Sequence, residues 1–282
     1  MRTTELCVLA LTACAAAAAQ AEDYTPADPN SGGYISPTEE RVRLSLGIVR
    51  TSAATTFQVD PGGGTPGTAI GGENDLGLDR HDIGPKFQAL VRVEERNRLR
   101  FDYFILDRSD AKTLAPTTSP ITFGNSTLIP GDPVQTDLSL RALGITYGYS
   151  FLHRESFEVA ATLGVNVVDI SARARVQTLS RHVDQSNDVA GPFPTLGLDG
   201  TWVLSRRFYL DGRVQYFKVS LSDLDGSLGM YEFDALYRFR PNVSFALGYE
   251  IVKAHLASTN ETQAGLFDFD AKGPELFVRI AF

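Results

Sequence analysis

Apolar and polar residues alternate along most of this chain with a period of two, the pattern of strands that turn one greasy face away from one polar face. Residues 41–56 set Val42, Leu44, Leu46 and Ile48 against Arg41, Arg43 and Ser45. Residues 83–94 set Phe87, Ala89, Val91 and Val93 against Lys86, Gln88, Arg92 and Glu94, and residues 98–106 set Leu99, Phe101, Tyr103 and Ile105 against Arg100 and Asp102. Residues 134–151 change phase near Ala142 and Leu143, which a β-bulge explains. Similar alternation runs through 156–177, 194–204, 207–222, 228–240, 243–255 and 265–282. This predicts an all-β chain of about ten antiparallel strands, eight or twelve being the neighbouring possibilities for a closed barrel. Residues 121–129 have the makings of an extra hairpin within a loop.

The links between these segments alternate in length. Residues 95–97, 152–155, 205–206 and 241–242 are tight turns, whereas 57–82, 107–133, 178–193 and 256–264 are longer and rich in turn-forming residues. Only 221–227 is short on that second side. A soluble barrel would share the alternation, with its apolar face inward. Aromatics, however, gather where strands meet the tight turns: Phe151, Phe157, Trp202, Phe208, Tyr237, Phe239, Phe245 and Phe282. An aromatic girdle at a membrane interface predicts that placement.

The amino terminus points to export. Arg2 precedes an apolar run from Leu6 to Ala19, and Ala19-Gln20-Ala21 is a small-x-small cleavage site, so residues 1–21 read as a signal peptide. Leu11-Thr12-Ala13-Cys14 offers a competing lipoprotein signal. Both cysteines, Cys7 and Cys14, lie in this segment, so cleavage after Ala21 leaves neither disulfide nor thiol chemistry. Residues 22–40, rich in Pro, Gly, Ser and acids, read as a flexible periplasmic leader, and 41–282 as the barrel. The formal net charge of −8 argues against a nucleic-acid partner.

With its cleavable signal, alternating strands and closing Leu276-x-Val278-x-Ile280-x-Phe282, the chain resembles the small bacterial outer-membrane β-barrel proteins. The resemblance implies residence in the outer membrane, outer-membrane lipid and lipopolysaccharide as neighbours, and a monomer. It also implies that Leu276, Val278, Ile280 and Phe282 are the signal read by the barrel assembly machinery. It does not imply one function, because such barrels serve as envelope stabilisers, channels, adhesins and enzymes.

The polar face is heavily charged. Arg43, Lys86, Arg92, Arg100, Asp102, Arg141, Asp211, Arg213, Glu232, Asp234, Arg238, Glu250, Glu275 and Arg279 are expected to form a lumen charge network, with Glu94 and Glu158 beside them. Charges kept from lipid must pair or meet water. A barrel of this size is filled mostly by side chains. That favours a structural or surface-interaction protein with a filled lumen over a narrow, porin-like channel for small polar solutes.

Catalysis is not expected. His81, His153, His182 and His255 stand in no His-x-Ser or Asp-x-His arrangement, and the motifs of outer-membrane proteases and lipid A deacylases are absent. His255 has the best chance of meeting an Asp or Ser from a neighbouring segment. Gly62-x-Gly64-x-x-Gly67 lies in a Pro-containing loop with no helix to follow, so no dinucleotide site is expected. Asp223-Leu224-Asp225-Gly226 suits a hairpin turn better than a calcium loop. With Asp268 and Asp270 near the same rim, a weak divalent-cation or lipopolysaccharide contact is the functional reading of that turn. No cofactor and no metal centre is expected. The triplets beginning at Asn125, Asn242 and Asn260 are chance matches to a glycosylation pattern.

Overall fold

The computed structural model describes residues 34–60, 68–114, 120–123, 126–177, 182–220, 224–258 and 265–282. The proposed signal peptide, the lipoprotein cysteine, the Gly62–Gly67 motif, Asp223 and the triplets' Asn125 and Asn260 lie outside these residues.

The strands are β1 (Val42–Val59), β2 (Ile70–Gly71), β3 (His81–Arg92), β4 (Asn97–Thr113), β5 (Ile121–Phe123), β6 (Ser126–Leu128), β7 (Pro133–Arg154), β8 (Phe157–Gln177), β9 (His182–Val203), β10 (Phe208–Ser220), β11 (Leu224–Arg240), β12 (Val243–Ser258) and β13 (Gly265–Ala281). One antiparallel sheet runs β13-β12-β11-β10-β9-β8-β7-β4-β3-β1-β2, and β13 pairs with β1 to close it. The ring is made by the long strands. The two-residue β2 merely extends the sheet beyond β1, and β5 and β6 form the separate hairpin expected within 121–129. Closure joins the first and last long strands: Arg43 stands opposite Ala281, and Arg41 and Val42 donate to the carbonyl of Phe282.

Successive side chains on a strand point to opposite faces, and burial shows which face is inside. Leu46, Leu196 and Leu247 are 65%, 66% and 59% exposed, whereas Glu158 and Glu275, on the opposite parity, are 0% and 2% exposed. A soluble barrel has the reverse polarity. Large apolar side chains displayed on β1 and from β7 through β13 need lipid to cover them.

This polarity holds for only part of each strand. On β8 the outward residues Phe157 to Val167 are apolar, and Asp169, Ser171, Arg173 and Arg175 follow on the same face. About eleven residues cross the apolar belt, the length a tilted transmembrane strand requires, yet β8 has 21 residues. The inward face changes oppositely, from Glu158, Thr162 and Asn166 to Val168, Ile170, Ala174 and Val176. On β13, Leu276, Val278 and Ile280 point outward below Lys272, Asp270 and Asp268, while Phe267, Phe269 and Ala271 point inward above Glu275 and Arg279. The barrel therefore has two storeys. The lower one, which carries the tight turns and the chain ends, is apolar outside and polar inside. The upper one is polar outside and apolar inside.

This inversion corrects the expected bulge near Ala142. The register of β7 with β4 and β8 runs unbroken from Val134 to Ser150, and the irregularity falls between Ser150 and Leu152. Leu138 and Leu140 simply face inward in the upper storey, and Ile145, Tyr147 and Tyr149 face outward in the lower.

Candidate functional site

Residues 34–40 turn into the lower mouth of the barrel. Ser36 and Thr38 hydroxyls donate to the Glu155 carbonyl at 2.5 and 3.0 Å. Arg238 donates to the Ile35 carbonyl at 2.6 Å and to Glu40 Oε1 at 2.6 Å, and the Tyr34 ring centre lies 5.0 Å from its guanidinium. Glu40 also meets Arg43 Nε at 3.0 Å, and Arg43 donates to the Pro37 carbonyl. Burial raises the pKa of the Glu40 carboxyl above its ordinary value, with Arg43 and Arg238 pulling the other way. The described end of the expected leader is thus held at the mouth of the barrel by bonds of which those to Glu40 and Pro37 are buried.

Above this seal stands a second tier. Glu158 on β8 receives both Nη atoms of Arg92 at 2.9 and 2.8 Å, Arg98 at 3.0 Å and the Ser150 hydroxyl at 2.5 Å. Asp199 holds Arg100 at 3.0 Å across the ring from β9 to β4. Asp211 accepts from Arg279 and, at 2.8 Å, from Thr201. Phe277, Tyr209, Leu236 and Ala246 pack beside Arg279 as a small apolar inset.

The third tier centres on Lys86, whose Nζ lies 3.0 Å from Glu275, 3.1 Å from Glu250 and 3.4 Å from Glu232. Arg213 bridges Asp102 at 2.8 Å and Glu232 at 2.7 Å, and Gln88 donates to Glu232 at 2.9 Å. Glu232, Asp234 and Glu275 bring carboxylate oxygens within 4.8 Å of one another. Gly248 makes this approach possible: a Cβ there would lie 1.9 Å from Asp234 Oδ1 and 2.9 Å from Glu275 Cγ.

Of the sequence-expected charges, Arg141 does not join these tiers. It shares the outward parity of Ile145, is exposed, and stands opposite Asp169 in register, because Ala142 and Gly144 take the inward positions. Glu94 is also outside them, accepting from Asn97 at 2.6 Å in an exposed turn. The pattern reading missed Glu40, Arg98 and Asp199. The last two could have been found by parity, since Arg98 shares a face with Arg100, and Asp199 lies opposite in parity to Leu196 and Leu198.

The upper storey is the other part that alternation did not foresee. Inward Ala53, Leu106, Leu140, Phe269 and Ala271 form an apolar cluster with Phe104, Val168, Ile170 and Val252. Ile70, Leu76, Phe57, Leu114, Val134 and Val176 make a second cluster, which Phe267 joins to the first. Ile70 and Leu76 belong to residues 68–80, which fold over this cluster as a lid. Arg108 latches it, pairing with Glu73 at 2.7 Å and donating to Thr55 Oγ1 and the Asp79 carbonyl.

His153 meets Glu39 and Glu158 at the lower mouth. His255 meets Asp268 at 2.5 Å on the outer face, with Ser227 opposite it in register. No hydrogen bond joins Ser227 to that imidazole among the described residues, so the nucleophile–base contact that activates a hydroxyl is missing.

Neither a protein-family model nor a curated protein matches this chain. Solved structures do. The outer membrane protease OmpT of Escherichia coli aligns with a TM-score of 0.56 at 10% identity, covering 86% of this chain and 97% of that one. The toluene transporter TodX of Pseudomonas putida gives 0.37 at 7%, covering 92% and 95%, and Ail of Yersinia pestis gives 0.35 at 9%, covering 86% and 99%. At such identities the OmpT likeness shows the fold alone, and the TodX and Ail alignments are too loose to add to it. Together with the exposed apolar belt, it gives this chain the architecture of an outer-membrane-type β-barrel.

Proposed function

We propose that the protein is a non-conducting, non-catalytic barrel that stabilises the outer membrane and presents its upper storey to the surroundings of the cell. The observation that supports this reading most is the stack of ion pairs in the lower lumen, from Glu40–Arg238 through Glu158–Arg92 to Lys86–Glu275. A solute would have to part buried opposite charges in turn, each costing several kcal/mol to leave unpaired. The outward belt is its contact with lipid, and polar residues above it, such as Arg141, Arg173 and Lys272, fit the headgroup and lipopolysaccharide level. The closing Leu276, Val278, Ile280 and Phe282 serve as the signal for barrel assembly, and the protein works as a monomer. Purified protein in a planar bilayer at high salt is expected to show no steady conductance. Steady ohmic steps would overturn the closed-lumen reading and favour the narrow channel.

A further inference from the structure

Above the third tier the lumen widens into a cavity of about 110 Å³. Its walls include Phe104, Leu140, Val168, Ile170, Val252 and Phe269, and its floor includes Lys86, Asp102, Arg213 and Glu250. This chamber contributes nothing to closing the barrel. A buried water needs two to four polar partners, which such walls do not offer, while an apolar cavity of roughly 150 Å³ accepts a benzene ring. The walls therefore suit one aromatic ring or a short alkyl body.

The floor decides the other end of the ligand. Lys86 is engaged by Glu232, Glu250 and Glu275, and Arg213 by Asp102 and Glu232, so the floor's cations are already committed. On the floor itself, Asp102 Oδ1 is a carboxylate oxygen buried without a partner, and Glu250 lines the chamber beside it. A ligand matching this floor donates hydrogen bonds and carries positive charge.

We propose that the chamber binds compact amphiphilic amines, with an apolar body between Phe104 and Phe269 and an ammonium group against Asp102 on the floor. The inference does not depend on whether the lower storey conducts. The test is titration of the purified full chain in detergent with 2-phenylethylamine, 2-phenylethanol and 3-phenylpropionate, followed by calorimetry. The amine should bind about tenfold more tightly than the alcohol, the low end of what a charge-assisted hydrogen bond supplies, and the acid should not bind. Ala142→Trp, which fills the cavity, should abolish binding, and Asp102→Asn should weaken it severalfold while heat-modifiable migration shows both variants folded. Equal amine binding by the parent and by folded Ala142→Trp would overturn the proposal, as that is partition into the micelle. Binding of the alcohol or the acid as tight as that of the amine would also overturn it. Conductance reads the lower lumen separately, so failure here leaves the closed-lumen reading standing.

Discussion

Arg238 on β11 and Glu40, from the segment before β1, meet at 2.6 Å with both side chains buried, although they stand 198 residues apart in the chain. The contact ties the start of the described chain to the far wall of the barrel, beside the Ile35 carbonyl that Arg238 also holds. Glu40→Gln leaves two guanidiniums facing a neutral amide. Removing one partner of a buried pair costs about 3–5 kcal/mol. The expected result is faster amide exchange at Glu39 and Arg41, with β7 and β8 unchanged. Unaltered exchange at both positions would show that the pair does not hold the seal.

Lys86 is the hub of the third tier, and Lys86→Met strands Glu250 and Glu275, while Glu232 keeps Arg213 and Gln88. The expected loss is again about 3–5 kcal/mol, read as a lower urea midpoint for the refolded protein. Arg141→Ala, on the outer face, is the matched control and should stay within about 0.5 kcal/mol of the parent. If both variants shift alike, Arg141 belongs to the charge network after all.

Gly248→Ala should be far worse than Gly200→Ala. A methyl at Gly248 would run into Asp234 Oδ1, whereas at Gly200 the nearest atom is the Glu158 carbonyl oxygen, at 3.7 Å. Overpacking a tight interior costs about 1–3 kcal/mol. Thermal midpoints measured in one detergent compare the two, and equal midpoints would mean that the carboxylates yield freely.

The lid should open without unfolding the barrel. Arg108→Ala removes the partner of Glu73 together with the donors to Thr55 and Asp79. Amide exchange at Leu76 and Leu78 is expected to rise by an order of magnitude or more, while the heat-modifiable shift in gels persists. Protection that survives the substitution would assign the lid to its apolar packing and its remaining hydrogen bonds to Thr55 and Lys112.

Strand placement was legible from alternation, because one period fixes both the face and the approximate ends of each strand. The seam was legible too: Glu275 and Arg279 occupy one parity of β13, and Leu276, Val278 and Ile280 the other. What alternation could not convey was a change of surroundings midway along a strand. Leu140 and Ile145 are both apolar and lie on opposite faces, so a reading with one greasy face had to insert a bulge between them. The same event is written on β13, where Phe267 and Phe269 share parity with Glu275 and Arg279. Glu40 was illegible for another reason. It belongs to an aperiodic stretch, and only the closed ring places it beside Arg238.

The inverted polarity of the two storeys means that this polypeptide answers to two solvents. Below Lys272 and Asp169 its outer surface is satisfied by hydrocarbon. Above them it is satisfied by water, with Phe269, Leu106 and Leu140 withdrawn inside as in an ordinary aqueous protein. The upper half therefore coheres by expelling water from its own interior and owes nothing to the bilayer. It stands on the lower storey as a self-supporting turret, built by the same forces as a water-soluble barrel.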